Sequence, residues 1–484
     1  MPPLRALMCL TSLLAASSSL GQEPELPPPP PEEEVVAEGP EPGARTLTLA
    51  EAVELAVRKN FGLLDQADSV QASHWNENTA EAQFRPRLTP RYQASDDQSL
   101  FALDASQRLP WLGGSLTGTA AYRSIDQVGP SPAGSSTDFR LALSQPLLRG
   151  FGPNTTYYDL RNARRARQRQ ERAFEVQRQV VAVTVARAYY AVVRQRALMG
   201  VSRQSLRRTR GLREASEARM QVGLASKLDV FRAELQASQT EDALVQAQAT
   251  LEESKEAFRA LLGMAPSEPV EPEASTLPEA EIELAPLAEL IRTALEHRLE
   301  VQEARDQIDD ARRTASLAKQ NLLPQLDLTV AVSRLGFGAG LGDSIDQGDT
   351  QVNVFLSTSY PLERSADRAN KAISELEVEA QRRALTQREQ DVEGEVRSAV
   401  RNIERIQKSV ELQRKNVTLA EQQLRLATLR YQRGLASNFD VVDAEGNLVT
   451  ARSLLVGLLT DFQVARVQLL RVLGTLDLAA EFAP

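Results

Sequence analysis

Two histidines, His74 and His297, and one cysteine, Cys9, are all that this chain of 484 residues offers to imidazole or thiol chemistry. Each histidine stands alone on a stretch that reads as helix, and Cys9 lies near the start, so the chain presents neither a zinc-type ligand cluster nor a disulfide framework. The run "GFGAGLGD" from Gly336 has the glycines of a phosphate-cradling loop but joins two strands and lacks a lysine and a following helix. It reads as a flexible turn. No catalytic residue, metal site or cofactor is assigned, and the chain is not read as an enzyme. What remains is a set of carboxylates in two related phrases, Asp229 in "GLASKLDVFRAE" from Gly223, and Asp440 and Asp443 in "GLASNFDVVDAE" from Gly434. Ser226 and Ser437 precede Asp229 and Asp440 by three residues, the spacing of a capping box that starts a helix. Asp443 has no such explanation, because its counterpart in the first phrase is Arg232.

The phrases lie 434 − 223 = 211 residues apart, and adding 211 to Leu244, Phe258 and Gly263 lands on Leu455, Leu469 and Gly474. Upstream, "LAEAVELAVRKN" from Leu49 echoes "LAELIRTALEHR" from Leu287, Pro86 echoes Pro324, and Pro146 echoes Pro361. Self-similarity at a fixed offset marks a tandem duplication. The two proline intervals differ by 60 − 37 = 23 residues, the first being longer, and "QRLPWLGG" and "SPAGSS" there predict an added loop or hairpin.

Residues 1–21 read as a secretory signal, with Arg5 followed by an apolar stretch and small residues before Gln22. The acidic, proline-rich segment 22–44 is expected to be a disordered leader. The net charge of −9 argues against a nucleic-acid partner. The expected division is a first repeat at 45–270 (β region about 86–150, tip about 222–230), a linker at 271–283, a second repeat at 284–475 (β region about 324–361, tip about 433–443) and a tail at 476–484.

The elements that carry the phrases follow from periodicity. No proline occurs from Asn154 to Ala265 or from Leu362 to Ala483, and Val392, Val396, Ala399, Ile403, Ile406, Val410, Gln413, Val417 and onward to Tyr431 step by four and three. That is the seam of packed helices, interrupted only by Gln413. Each repeat therefore contains a long helical hairpin whose turn is the repeated phrase, with Gly223 and Gly434 ending the ascending helix. An ascending helix starting at Pro146 spans about 115 Å at about 1.5 Å per residue. Between helices, "SLTGTAAY", "FRLALSQ", "LDLTVAVS" and "VNVFLSTSY" alternate apolar and polar, as transmembrane barrel strands do. Four strands cannot close a barrel, and an open edge is not tolerated in lipid, so this reading requires several copies of the chain.

The opening helix, the strand starts at Pro86 and Pro324, "LSQPLLRGFG" from Leu143 and the paired tips together resemble the TolC-like outer membrane efflux protein family over nearly the whole chain after the leader. The resemblance implies an α+β membrane protein. Tandem-duplicated helical hairpins would form a trimeric periplasmic α-barrel, topped by a shared antiparallel transmembrane β-barrel with four strands per chain and 12 in the trimer. It implies an exit duct in outer membrane lipid that meets a periplasmic adaptor protein and an inner-membrane pump and is gated at its tips. The family's aperture carboxylates match Asp440 and Asp443, and its tip tyrosine matches Tyr431. An arginine that ties neighbouring tips in the family is replaced by Ala436, so Lys227 or Arg232 against Asp440 or Asp443 become the candidate links, with Asp229 beside them. Adaptor contact falls on Gly223, Leu224, Ala225 and Ser226 and on Gly434, Leu435, Ala436 and Ser437. Leu224 and Leu435 discriminate this reading from plain turn chemistry, since a turn facing only water has no need of leucine twice. The competing class is a periplasmic coiled-coil adaptor or scaffold without a channel, which would show a single hairpin flanked by a single-copy β-rich region.

Overall fold

The computed structural model describes residues 45–125, 134–265, 267–274, 277 and 280–477. The expected signal segment, the leader, part of the linker, most of the tail and the start of "SPAGSS" lie outside them. In chain order the elements are β1 (Arg45–Leu47), α1 (Leu49–Lys59), α2 (Phe61–Ala82), β2 (Arg87–Ala94), β3 (Gln98–Arg108), β4 (Ser115–Ile125), β5 (Gly134–Pro146), α3 (Pro153–Thr156), α4 (Tyr158–Gln221) and α5 (Lys227–Leu261). There follow β6 (Val270–Pro272), α6 (Leu287–His297), α7 (Leu299–Gln320), β7 (Gln325–Gly338), α8 (Leu341–Asp346), β8 (Asp349–Ser359), α9 (Ser365–Gln432) and α10 (Asn438–Leu473).

The duplication is visible as two series of short helix pair, strands and long hairpin: α1–α2, β2–β5, α4–α5, and α6–α7, β7–β8, α9–α10. Helix α4 has 64 residues and α9 has 68, or roughly 100 Å each at about 1.5 Å per residue. The first ascending helix is shorter than the sequence predicts because "LLRGFGP" is a turn: Gly150 and Gly152 hold φ of 90° and 92°, and Pro153 opens the separate short helix α3. The heptad seam of α9 is buried at Val392, Val396, Ile403, Ile406 and Val410. Gln413, the residue off pattern, donates from Nε2 to the Ala451 carbonyl of α10 at 3.0 Å. Helix α10 is long and apolar enough to cross a membrane, yet half of its most apolar window is packed inside the chain.

The core lies midway along the long helices. One cluster joins α1, α4 and α5 through Val53, Val185, Tyr189 and Phe258; a second joins α6, α9 and α10 through Leu290, Ile403 and Phe462. Residues 270–272, at the expected junction between first repeat and linker, pair in parallel with β1. This ribbon carries Glu271 into the core, where it meets Arg196 at 2.9 Å and Lys255 at 2.7 Å, all three side chains being 2% exposed. Nearer the sheet, Arg165, Arg169 and Arg172 of α4 pair with Glu303, Asp306 and Asp310 of α7, lacing the two repeats together.

The sheet has six strands in the order β2-β3-β4-β5-β7-β8, all antiparallel. This corrects the strand count of four per chain that the resemblance implies. The surplus is a hairpin in the longer first β region, as the extra residues predict, but "LPWLGG" forms the connection on the helix side, where Trp111 packs edge-on against Tyr157. β2 and β3 lack a clean apolar–polar alternation for physical reasons. Pro90 interrupts β2, a position tolerated on an edge strand, and Leu100 and Ala102 of β3 soften its polar face. One row of the register, Leu88–Ala105–Gly118–Leu141–Val332–Val352, is apolar or glycine from edge to edge. The next row, Thr89–Asp104–Thr119–Arg140–Ser333–Gln351, is polar throughout. The run "GFGAGLGD" does lead into a helix, the six-residue α8, which folds back on β5 and β7. A Cβ on Gly336 would lie 1.7 Å from the Ser344 carbonyl oxygen, so the close approach requires glycine.

Candidate functional site at the helical tips

The two hairpin turns are built alike. Gly223 and Gly434 adopt φ of 78° and 75°, the left-handed conformation that glycine enters without a Cβ penalty. Leu224 donates its amide to the Arg219 carbonyl at 2.8 Å and Leu435 donates to Arg430 at 2.9 Å, closing the last turn of each ascending helix. The descending helices start with capping boxes. The Ser226 amide and hydroxyl donate to Asp229 Oδ2 at 3.0 and 2.7 Å, and the Ser437 amide and hydroxyl to Asp440 Oδ2 at 2.9 and 3.1 Å. The Ser226 hydroxyl holds the Asp229 carboxyl below the ordinary aspartate range, with the Ser226 amide and nearby Arg232 adding to the effect against partial burial. A depressed carboxyl contributes stability above its unfolded pKa and loses it as the pH falls through the lowered value.

Asp440 and Asp443 both stand exposed on α10. Asn447 donates to Asp443 Oδ2 at 3.3 Å, so the spacing of three and four sets all three on one face. Among the described residues no ion pair joins Lys227 or Arg232 to either carboxylate within the chain; both cations are exposed. Leu224 and Leu435 are each 68% exposed, and Val222, Leu228, Phe231 and Phe439 add to the apolar surface around them.

What ties the two tips together is a set of contacts of which the sequence announced only Tyr431. Tyr431, buried at the end of α9, shares a hydrogen bond of 2.9 Å between its hydroxyl and Ser216 Oγ of α4. Arg219, one turn further along α4, lays its guanidinium 4.7 Å from the centre of the Tyr431 ring and donates from Nη1 to the Tyr431 carbonyl at 2.6 Å. Asn438, fully buried, donates to the Asp229 carbonyl at 2.5 Å. Above these, Arg208 grips the buried Glu445 with two parallel bonds of 2.8 and 2.9 Å. Between α4, α9 and α10 at this level lies a cavity of about 390 Å³, lined by Leu212, Ala215, Leu424, Tyr431 and Val441 among others. The seam between the hairpins is therefore held by polar clasps around loosely filled space. Each partner of these contacts lies some 210 to 240 positions from the other, beyond the reach of any local pattern. The signals available were the tip tyrosine Tyr431 and the spacing of three that sets Ser216 and Arg219 on one helix face before the first tip.

The profile described as "Outer membrane efflux protein" matches residues 55–264 and 290–475, both repeats of the duplication. The chain belongs to the outer membrane efflux protein family. Membership places this outer membrane efflux protein in the outer membrane. The toluene efflux pump outer membrane protein TtgC of Pseudomonas putida is 25% identical over 301 residues, a match covering 60% of each chain. Two solved structures share the fold. A CusC crystal structure aligns with a TM-score of 0.68 at 18% identity over 89% of this chain and 93% of that one. VceC of Vibrio cholerae aligns with a TM-score of 0.68 at 20% identity over 88% and 96%.

Proposed function

We propose that this efflux protein works as a homotrimer, an exit duct that crosses the outer membrane through its sheets, extends into the periplasm through its long hairpins, and is gated at the hairpin tips. The observation that carries the gate is the clasp centred on Tyr431: it joins the two hairpins of one chain through side-chain contacts that can break without unfolding either helix. The names of relatives such as TtgC, an efflux pump component, support an export role. The exported compound stays outside this reading.

In the trimer, three copies of Asp440 and Asp443 form the aperture. Six carboxylates around one constriction attract cations and repel anions. Lys227 and Arg232 of each chain are the proposed cationic links to Asp440 or Asp443 of the next, in place of the arginine absent at Ala436. The purified protein in a planar bilayer under a salt gradient is expected to show a cation-selective reversal potential. The variant Asp440→Ala, Asp443→Ala should bring that potential close to zero while still forming trimers. Unchanged selectivity would return Asp440 to its capping role alone.

An adaptor protein, itself coupled to an inner-membrane pump, docks on the tips. Gly223, Ala225, Ser226, Gly434, Ala436 and Ser437 keep the approach close, and Leu224 and Leu435 supply the apolar contact. Each leucine buried in such a contact contributes about 1.5–3 kcal/mol. The variant Leu224→Glu, Leu435→Glu is accordingly expected to abolish export in cells while leaving trimer formation and bilayer conductance intact. Retained export with both leucines replaced would remove the tips from the docking surface.

A further inference from the structure

Resting on the trimer proposed above, we infer that this protein closes an 18-stranded outer-membrane barrel, in which β8 of each chain pairs with β2 of the next. The kind of partner is a second and third copy of this chain, and the surface is the two free edges of the six-stranded sheet.

The surplus hairpin decides the count. In the frame of the duplication, β2 follows Pro86 as β7 follows Pro324, and β5 ends at Pro146 as β8 ends just before Pro361. The strands without a counterpart are β3 and β4. They do not hang from an edge: β3 is bonded to β2 and β4, and β4 to β3 and β5. A barrel that left out β3 and β4 would have to tear two continuous ladders, the eight residue pairs of β2–β3 and the eleven of β4–β5. Three copies of six strands give 3 × 6 = 18.

The surplus strands also carry both faces of the wall without a break. Ala105 and Gly118 continue the apolar row that begins at Leu88 and ends at Val352, and Asp104 and Thr119 continue the polar row beside it. A soluble flap would need no apolar outer face; Phe101 and Leu103 of β3 are 57% and 41% exposed on that face. Eleven residues at about 3.3 Å each, tilted by about 45°, span roughly 25 Å, the height of the apolar band of such barrels.

The edges fit each other. All eight residues of β2 and all eleven of β8 are exposed. β2 leaves the helices and β8 returns to them, so the two run antiparallel when neighbouring chains meet side by side. Open edges are not tolerated in hydrocarbon, which leaves pairing between copies as the way to satisfy their amides and carbonyls. Pro90 withholds a donor from one ladder position only. Barrels of 16–18 strands leave an aqueous channel, so the membrane end of this duct is wide and the tips are its constriction.

Cysteine pairs test the closure in the full protein, whose only native cysteine is Cys9 in the expected signal segment. Val352→Cys or Val354→Cys on β8 would be combined in turn with Leu88→Cys, Pro90→Cys and Tyr92→Cys on β2. A second set would combine them with Gly118→Cys and Ala120→Cys on β4. Disulfides form only where Cα atoms come within about 7 Å. The expected result is a covalent trimer on a non-reducing denaturing gel from at least one β8–β2 pair and from no β8–β4 pair, with Leu88→Cys and Gly118→Cys also closing disulfides inside the chain to Ala105→Cys and Leu141→Cys in the same membrane-inserted trimers, which a barrel without β3 and β4 would not give. Trimers by particle mass that cross-link through β4, or through neither strand, overturn the 18-stranded closure and leave the duct standing. A particle mass of one or two chains would instead bring down the trimer, and this inference with it.

Discussion

Replacing Glu271 by alanine is expected to be among the most destabilising single changes in this protein, at about 3–5 kcal/mol, because it removes from the core the carboxylate that faces both Arg196 and Lys255. Glu271 Oε2 accepts from Arg196 and Oε1 faces Lys255, and all three side chains are almost wholly removed from solvent. The network also fixes the chain path, since Arg196 Nη1 donates to the Pro272 and Ala274 carbonyls at 3.3 and 3.2 Å. Losing Glu271 therefore loosens the β1–β6 ribbon from α4 and α5 together. The measurement is the denaturant midpoint of detergent-solubilised protein. Two comparisons give it meaning. Glu411→Ala breaks the exposed pair with Lys415 and should leave the midpoint nearly unchanged, since exposed pairs contribute little. Replacing the whole triad with Arg196→Met, Lys255→Met and Glu271→Leu should be far milder than Glu271→Ala, because no charge is left unpaired. A Glu271→Ala midpoint equal to that of Glu411→Ala would contradict this account of the core.

The second large effect belongs to the clasp. Arg219→Ala combined with Tyr431→Phe removes a charge-assisted bond to the Tyr431 carbonyl, a cation–π contact and the bond to Ser216. Charge-assisted hydrogen bonds contribute about 1.5–3 kcal/mol and neutral ones about 1 kcal/mol, with about 1 kcal/mol more from the stacked guanidinium. Even a net loss of about 3 kcal/mol shifts the closed-to-open ratio roughly a hundredfold. Helices α4 and α9 keep their own backbone bonds, so the trimer should persist. In cells the expected outcome is entry of hydrophilic compounds too large for ordinary porins, read as a marked rise in their toxicity. Unchanged toxicity at equal protein levels would mean that the tips are held elsewhere.

The features legible in the sequence were those with a short period or a repeated offset. The four-and-three seam of α9 lies where the structure buries it, and the off-pattern Gln413 finds its own partner across the hairpin. Four of the six sheet strands carried enough alternation to be read. β2 did not, because Pro90 breaks it, and β3 did not, because Leu100 and Ala102 sit on its polar side. The surplus of residues between Pro86 and Pro146 pointed to the extra hairpin, but strand pairing was needed to place it inside the sheet. Least legible were the clasp and the buried triad. Arg219, Ser216 and Tyr431 meet only because two hairpins pack side by side, and Arg196, Lys255 and Glu271 converge from three elements. Arg196 did leave a trace: Arg194 and Arg196 interrupt the apolar run around "YYAVVRQRALM", and an arginine buried with that helix has to find polar partners.

The central claim is a channel whose resistance resides in the clasped tips, and single-channel conductance in planar bilayers tests it most directly. Wild-type protein should give small, uniform steps, and the Arg219→Ala, Tyr431→Phe variant should give steps several times larger from particles of the same mass. Equal conductance in the two proteins, or no conductance from folded trimers, would contradict it.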